Sequence, residues 1–575
     1  MTQSSAATWI ECGDGARLAR AMRCRMSDGV ELISDHYSPS EPGKFPTLLM
    51  RQPYGRDIAS TVVYAHPVWF ARHGYNVVIQ DVRGRGDSGG EFYPFRNEAR
   101  DGAETIEWVR TLPQSNGRVG MYGFSYQGIT QLLAAAEQPE GLQCISPGMT
   151  SHDLYHGWFY SGGALRLAST LGWGLQMLKE EARRLHLREA SNHLEPAWAN
   201  LSAQMSYVPV RDNPALHGEG LPPFVLDWLD HPAVDEYWSS MDVSTKVDRI
   251  RVPALHVSGW YDTYLRGSID GFLAFCERAD PAVRRQQYLI AGPWVHIPWG
   301  DRAGTADFGP HALLDTDQIL LRWFNHWLKD SGEFASEPRI RHFVLGENRW
   351  RMADTFPGSA ERTRTLYLHS AGRANSRKGD GALSAAKPSP EDPCDIFVYD
   401  PEVPVLAPGG PTAASGLFDQ STIELGNNVL VYTSEPLSDP LFTFGFPKVS
   451  FYCATSSART DFTAKLVRVK PNGVAEFICI GIARSSFLFA GRSFSADKTH
   501  LWEFTLEPTS CLLGAGERIR LEIASSAFPL YERNSGSCIN PCHASSWDWR
   551  RSTQIVFHDA RRPSALHLPV CEVTD

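Results

Sequence analysis

The chain has 575 residues, 42% of them hydrophobic, and carries 55 Lys+Arg against 65 Asp+Glu for a formal net charge of -10. Such a length exceeds one hydrophobic core and implies two or three domains, and an acidic balance without a basic stripe argues against a nucleic-acid partner. No stretch approaches the apolar run of a bilayer span, the opening MTQSSAATWIECGDGARLAR lacks an apolar segment behind a positive one, and of the 11 Cys only Cys538 and Cys542 lie close, too few for a zinc site. The chain reads as a soluble cytoplasmic protein with free thiols, no metal and no membrane partner; a second copy of itself is left open.

From Val30 to Asp87 the text reads as strands divided by turns, with PTLLMRQPY and GYNVVIQDVRG as continuous apolar runs that suit a parallel sheet covered on both faces. ARDGAETIEWVRTLP has helical spacing, and GRVGMYGFSYQGITQLLAAAEQPEG reads strand, sharp turn, helix. This alternation predicts a doubly wound α/β sheet whose ligands sit beyond the carboxyl ends of its strands. Between residues 151 and 244 the strand pattern gives way to helical text such as GWGLQMLKEEARRLHLREA, an inserted cap. Sheet text resumes at RVPALHVSGWYD and QQYLIAGPW, and TDQILLRWFNHWLKDSG carries one apolar helical face. After about Arg362 the period falls to two, in RTLYLHSAG, FPKVSFYCATS, FTAKLVRVKPNG, ERIRLEIASSAF and STQIVFHDA, which predicts an all-β jelly roll. Within it, SAGRANSRKGDGALSAAKPSPEDP is expected to be a mobile surface loop. The predicted division is therefore an α/β body over 1–150 and 245–361, a cap over 151–244 and a β-domain over 362–575.

The segment Gly123-Phe124-Ser125-Tyr126-Gln127-Gly128 falls where a predicted strand turns into a predicted helix, the setting of a nucleophile elbow. There the Ser125 hydroxyl stands at a helix N-terminus and the backbone N–H of Tyr126 can face a developing oxyanion. The second glycine comes three residues after the serine rather than two, so a plain helix-capping serine is the competing reading. A serine needs a base held by a carboxylate, in the order Ser, Asp, His for this fold. Asp262 follows ALHVSGWY and His296 follows YLIAGPWV, each just past a candidate strand. His311 and His256 are the reserve bases, and Asp270 and Asp301 the competing acids.

GFSYQG, SGWYDTY and GPWVH, with RQPYGRD and DVRGRGDSGG upstream, resemble the cocaine-esterase and Xaa-Pro dipeptidyl-peptidase group of serine hydrolases, the CocE/NonD family. The resemblance covers nearly the whole chain. It implies a hydrolase sheet, a helical cap and a C-terminal jelly roll, with Ser125 as nucleophile, His296 as base and Asp262 as the orienting acid. It also implies that Tyr54, in RQPYGR, supplies an oxyanion donor beside the N–H of Tyr126, and that Trp158, Phe159, Trp173 and Tyr264 line an acyl pocket. The competing reading of these aromatics is that they only staple helices together.

The expected partner is a small ester or amide, with no cofactor. The dipeptidyl-peptidases of the group usually carry an extra N-terminal domain, for which there is no room ahead of RQPY. The α-amino-acid ester hydrolases place acidic residues two and three positions after the triad aspartate, where this chain has Tyr264 and Leu265. An acyl group that is bulky or aromatic and lacks an α-ammonium fits better. Gly84-Arg85-Gly86-Asp87-Ser88-Gly89 matches a dinucleotide fingerprint after a strand, the mark of a Rossmann oxidoreductase, but EFYPF follows where a phosphate-binding helix should start. A non-catalytic sugar-binding module would rest on the β-domain; packing that closes the hydrolase cleft is the favoured role for it.

Overall fold

The computed structural model describes residues 8–13, 15–57, 61–358, 362–411 and 415–572. Eleven strands form the first sheet: β1 (Trp9–Glu11), β2 (Ala16–Arg25), β3 (Glu31–Pro39), β4 (Phe45–Gln52), β5 (Asn76–Asp81), β6 (Ser115–Phe124), β7 (Leu142–Gly148), β8 (Ala254–Gly259), β9 (Gln287–Gly292), β10 (Ile340–Val344) and β11 (Arg349–Ala353). Their spatial order is 1-2-3-5-4-6-7-8-9-10-11, parallel from β5 through β10 and antiparallel at both ends. The apolar runs of the central strands follow from this layering, since every residue of β5 is buried. Leu49 of β4 packs with Ile106 and Val109, while its neighbours Leu48 and Met50 pack on the other face with Trp323 and Phe324.

The covering helices are α1 (Pro67–Arg72), α2 (Glu98–Arg110), α3 (Tyr126–Ala136), α4 (Leu167–Arg184), α5 (Arg188–Ala199), α6 (Phe224–Asp230), α7 (Leu265–Arg278) and α8 (Thr316–Lys329), with shorter helical turns between them. Helix α8 begins at Asp315, whose side chain accepts from the Gln318 N–H at 3.0 Å, and buries Ile319, Leu320, Trp323, Phe324 and Leu328 as one stripe. The cap is not wholly helical. A two-residue hairpin, Tyr160–Ser161 with Ala164–Leu165, turns through Gly162 and Gly163. A Cβ on Gly162 would lie 2.0 Å from the Ile482 carbonyl oxygen, so the hairpin is pressed onto the β-domain there.

The second, largely antiparallel sheet gathers thirteen strands between Arg362 and Cys571 around Phe397, Phe451, Phe462, Trp502 and Leu521. The same core runs on without a break into Trp260, Leu265, Phe272 and Phe343 of the first unit. Leu345 exchanges backbone hydrogen bonds with Ser510 and Leu512, joining the two sheets. Most of the stretch expected to be a surface loop is irregular, but Ala382–Ser384 adds a strand between Arg362–His369 and Leu430–Ser434, and Ala374 and Leu383 are buried.

Candidate active site

Strand β6 ends at Phe124 and α3 begins at Tyr126, leaving Ser125 alone at φ 61°, ψ -127°. A non-glycine residue in that region costs about 1–3 kcal/mol, which the surrounding hydrogen bonds must offset. The Ser125 N–H donates to the Gly148 carbonyl at 2.9 Å, and its own carbonyl accepts from Gly128 and Ile129. The displaced second glycine also has a reason. A Cβ on Gly128 would meet the Thr150 side chain at 2.7 Å, so α3 lies against the end of β7 where a larger residue could not. Gln127, in the place where other elbows carry glycine, turns its Oε1 back to accept from the Phe124 N–H at 3.2 Å.

As the first residue of α3, Tyr126 has no intrahelical acceptor for its N–H, which is free to meet an anion. Its ring stacks on Phe95 with centroids 5.0 Å apart. Its hydroxyl donates to Glu98 at 2.9 Å, and Glu98 in turn pairs with the fully buried Arg51 at 2.7 Å. Burial pushes the Tyr126 hydroxyl well above its ordinary range, so it stays a neutral donor. This network fixes the start of α3 from below.

Two loops beyond β8 and β9 carry the other candidates, and they hook together. The Trp260 N–H donates to Gly292 at 2.9 Å and the Tyr261 N–H to Trp294 at 3.1 Å. A Cβ on Gly259 would lie 2.4 Å from the Trp294 carbonyl oxygen, so the crossing needs a glycine. Asp262, wholly buried, accepts from the Tyr264 N–H at 2.7 Å through Oδ1, and its Oδ2 lies 2.6 Å from His296 Nδ1. The imidazole sits between the rings of Phe124 and Tyr264, each 5.3 Å away, with its other nitrogen left for a partner in the cleft.

Ser125, His296 and Tyr54 line one cavity of about 640 Å³. The Tyr54 hydroxyl accepts from Trp173 Nε1 at 3.2 Å. Burial raises this phenol above its usual range, and contacts with Trp173 and Ser125 draw it partly back. Of the four expected pocket aromatics, Trp173 and Tyr264 form wall. Trp158 and Phe159 are not part of that wall: Trp158 stacks behind Tyr264 at 4.1 Å, and Phe159 packs on Trp228 at 4.5 Å. The wide helical turn Tyr155–Phe159 directs both into the cap core, so they support the wall from behind. Helix α4 supplies the roof, from Ala168 and Gly172 to Gln176 and Glu180, and Pro411 and Ser415 bring the β-domain to the rim.

The reserve candidates lie elsewhere. His256 is inside β8 with its pKa lowered to about 3 by burial, and Asp270 pairs with Arg266 at 2.6 Å on α7. His311 is exposed on a short helical turn. A second Ser, His and Asp group, Ser370, His558 and Asp395, is centred on its carboxylate: Ser370 donates to Asp395 at 2.7 Å, and the His558 nitrogen nearest the serine, Nε2 at 3.3 Å, is itself engaged by Asp395 at 2.8 Å, so it is not a free base for the serine. The glycine-rich stretch 84–89 is also accounted for. Gly84 and Gly86 have φ 68° and 53°, and a Cβ on Gly86 would strike the Asp81 carboxylate at 2.2 Å. The next helix begins only at Glu98, so no phosphate-binding helix starts directly from this loop.

Its arginine, passed over in the sequence, is the informative residue there. Arg85 is buried; it donates to the Pro53 carbonyl at 2.7 Å, directly before Tyr54, and meets Glu181 of α4 at 3.3 Å.

Residues 28–298 match the family described as X-Pro dipeptidyl-peptidase (S15 family), and residues 332–567 match the X-Pro dipeptidyl-peptidase C-terminal non-catalytic domain. A cocaine esterase of Rhodococcus sp. is 34% identical over 568 residues, spanning 95% of this chain and 97% of that enzyme. The chain belongs to the CocE/NonD family of serine hydrolases. Solved structures share the fold of this CocE/NonD hydrolase over its length. An aminopeptidase from the marine sediment archaeon Thaumarchaeota archaeon superposes with TM-score 0.81 at 23% identity, covering 100% of this chain and 99% of its own. An α-amino acid ester hydrolase gives 0.76 at 24% identity, covering 99% and 100%. Among the described residues no helix is long and apolar enough to cross a membrane.

Proposed function

We propose that this serine hydrolase cleaves carboxylic esters with a bulky or aromatic acyl group that carries no α-ammonium. Ser125 Oγ attacks the acyl carbon while its proton passes to His296, whose charge Asp262 balances. Tyr54 and the N–H of Tyr126 receive the oxyanion. Collapse breaks the ester C–O bond, His296 returns the proton to the leaving alcohol, and a water activated by His296 releases the acid. The observation that carries this reading is the 2.6 Å contact of Asp262 with His296 at the wall of a cavity shared with Ser125.

The acyl preference is supported by Trp173 and Tyr264 in the wall and by Tyr264 and Leu265 where an ammonium would need carboxylates. The carboxylate in the cavity wall, Glu180, is shared by Arg183 at 3.1 Å and Lys179 at 3.9 Å, leaving it little capacity for a cationic amine. Amide cleavage, as in the X-Pro dipeptidyl-peptidases, is the second reading, because the same triad serves both and differs in protonating the leaving group. Turnover of p-nitrophenyl acetate, benzoate and aminoacyl esters against the matching anilides separates them. Benzoate ester should lead; a preference for aminoacyl anilides would overturn the proposal.

The predicted division into body, cap and β-domain is our reading of the units that build this cleft. The eleven free cysteines support a reducing cytoplasm as its compartment.

A further inference from the structure

Arg166, the residue before α4, is fully buried, an expensive position for a guanidinium unless every donor direction is used. Its Nε donates to Ser161 Oγ at 2.9 Å, one terminal nitrogen donates to the carbonyl of Thr263, and the other donates to Glu507 Oε1 at 2.6 Å. The three partners come from three units: the cap hairpin, the loop that carries Asp262, and the β-domain just after strand His500–Thr505. Thr263 lies between Asp262 and Tyr264, whose N–H holds the other oxygen of the Asp262 carboxylate. The guanidinium therefore grips the one peptide unit whose tilt sets the direction of Asp262 toward His296.

Glu507 is itself buried, and its N–H donates to the Ile480 carbonyl at 2.9 Å, so the β-domain backbone holds the anchor still. Burial raises the Glu507 carboxyl and Arg166 draws it back, while Asp262 is near enough to repel it.

We propose that Arg166 and Glu507 are positioning residues of the reaction: the β-domain carboxylate holds the cap guanidinium on the Thr263 carbonyl, fixing Asp262 against His296, and balances its charge beside that pair. This rests on the reading of Ser125, His296 and Asp262 given above. It gives the β-domain, whose family description is non-catalytic, a direct hand in the geometry of the triad. The titratable and charged groups around the Asp262–His296 pair are Ser125 and Tyr54 in the same cavity, Tyr264 of the acid loop, and Glu507 of the β-domain with its partner Arg166; Arg266 of α7 lies near Glu507. Arg266 is balanced by Asp270 at 2.6 Å. Arg166 and Glu507 balance each other in the same way.

Removing one partner alone must therefore shift the acid limb of kcat/KM against pH, and the two removals must shift it in opposite directions. Glu507→Gln leaves an unbalanced positive charge that disfavours imidazolium, moving the limb down by about half a pH unit. Arg166→Met leaves Glu507 without its counter-charge and moves it up, by less than Glu507→Gln moves it down, because the unpaired buried carboxyl takes up a proton more readily. In both, kcat falls about 10- to 100-fold as the acid loop loosens, with KM little changed. Because an unpaired buried charge can prevent folding, the double variant Arg166→Met/Glu507→Met is the companion test. It should fold, keep the wild-type limb, and still lose kcat by about the same factor, since the Thr263 carbonyl has lost its donor.

The assay is ester hydrolysis from pH 5 to 9, with thermal unfolding on each protein and fluorophosphonate labelling of the wild type as reference. If the folded single variants lose rate without moving the limb, or the double variant keeps wild-type kcat, the pair is only structural and the inference is overturned. If the wild type is not labelled at Ser125, it is the reading of the site that fails.

Discussion

Replacing Asp262 by Asn changes one atom of a wholly buried carboxylate and so isolates its chemistry from its shape. In the native chain Oδ1 accepts from the Tyr264 N–H at 2.7 Å and Oδ2 faces His296 Nδ1 at 2.6 Å, so both oxygens act as acceptors. An amide has one acceptor. If its oxygen keeps the Tyr264 N–H, its NH₂ faces Nδ1 and selects the tautomer protonated on Nε2, which cannot take a proton from Ser125. If its oxygen keeps Nδ1, two donors collide at Tyr264. Either outcome also removes the negative charge that stabilises imidazolium in the transition state. The analogous change in a Ser-His-Asp protease lowers kcat about 10⁴-fold, and that ratio corresponds to roughly 5 kcal/mol of barrier. We expect a loss of that order in kcat, measured with a p-nitrophenyl ester at pH 7.5, with little change in KM. Thermal unfolding should stay within a few degrees of wild type, which separates chemistry from folding. A loss below about tenfold in a folded variant, or an equal loss in Asp270→Asn, would refute the assignment of the acid.

Tyr54→Phe removes one of the two oxyanion donors proposed above and should lower kcat about 10²- to 10³-fold while leaving KM for a small acetyl ester nearly unchanged; a mere twofold loss would leave the N–H of Tyr126 without its partner. Trp173→Ala should weaken turnover of benzoyl more than acetyl esters, because its ring is cavity wall. Phe159→Ala, behind that wall, should instead lower stability by about 3–5 kcal/mol, seen in thermal unfolding. Acid should destabilise the fold through three buried histidines, His36 with its pKa lowered to about 4, and His256 and His342 each to about 3. Their folded values lie below the unfolded value, so their contribution is complete above about pH 6.5 and is lost as pH falls toward 4, about 1–2 kcal/mol for each by pH 5. Urea unfolding at pH 7.5 and 5.5 measures this, and His256→Asn should flatten the pH slope by about one proton.

The strand-turn-helix at Ser125 was legible because a strand, a glycine-flanked serine and a helix must follow one another in the chain, and the Asp262–His296 pair was legible because each residue stands just past an apolar strand. What the sequence hid was set by contacts distant along the chain. Arg85 sits in a glycine-rich string that matches a phosphate-binding pattern, and only the fold turns it toward Pro53 and Glu181. Arg166 and Glu507 stand 341 positions apart, so no periodicity could join them.

The strand Ala475–Arg484 escaped for another reason. All ten residues are buried, and a run without alternation gives no period to read. Trp158 and Phe159 resemble in placement the pocket aromatics of the family, but the turn at Tyr155–Phe159 decides which way they face, and that turn has no sequence signature.

The central claim is that Ser125, held at an unfavourable φ between β6 and α3, is the residue that becomes acylated. Incubating the full chain with a fluorophosphonate and mapping the adduct by mass spectrometry tests it most directly. We predict one phosphonyl group per chain, on Ser125, with hydrolysis lost in proportion to labelling and no labelling after Ser125→Ala. Full labelling at another residue, or a folded Ser125→Ala variant with wild-type turnover, would contradict it.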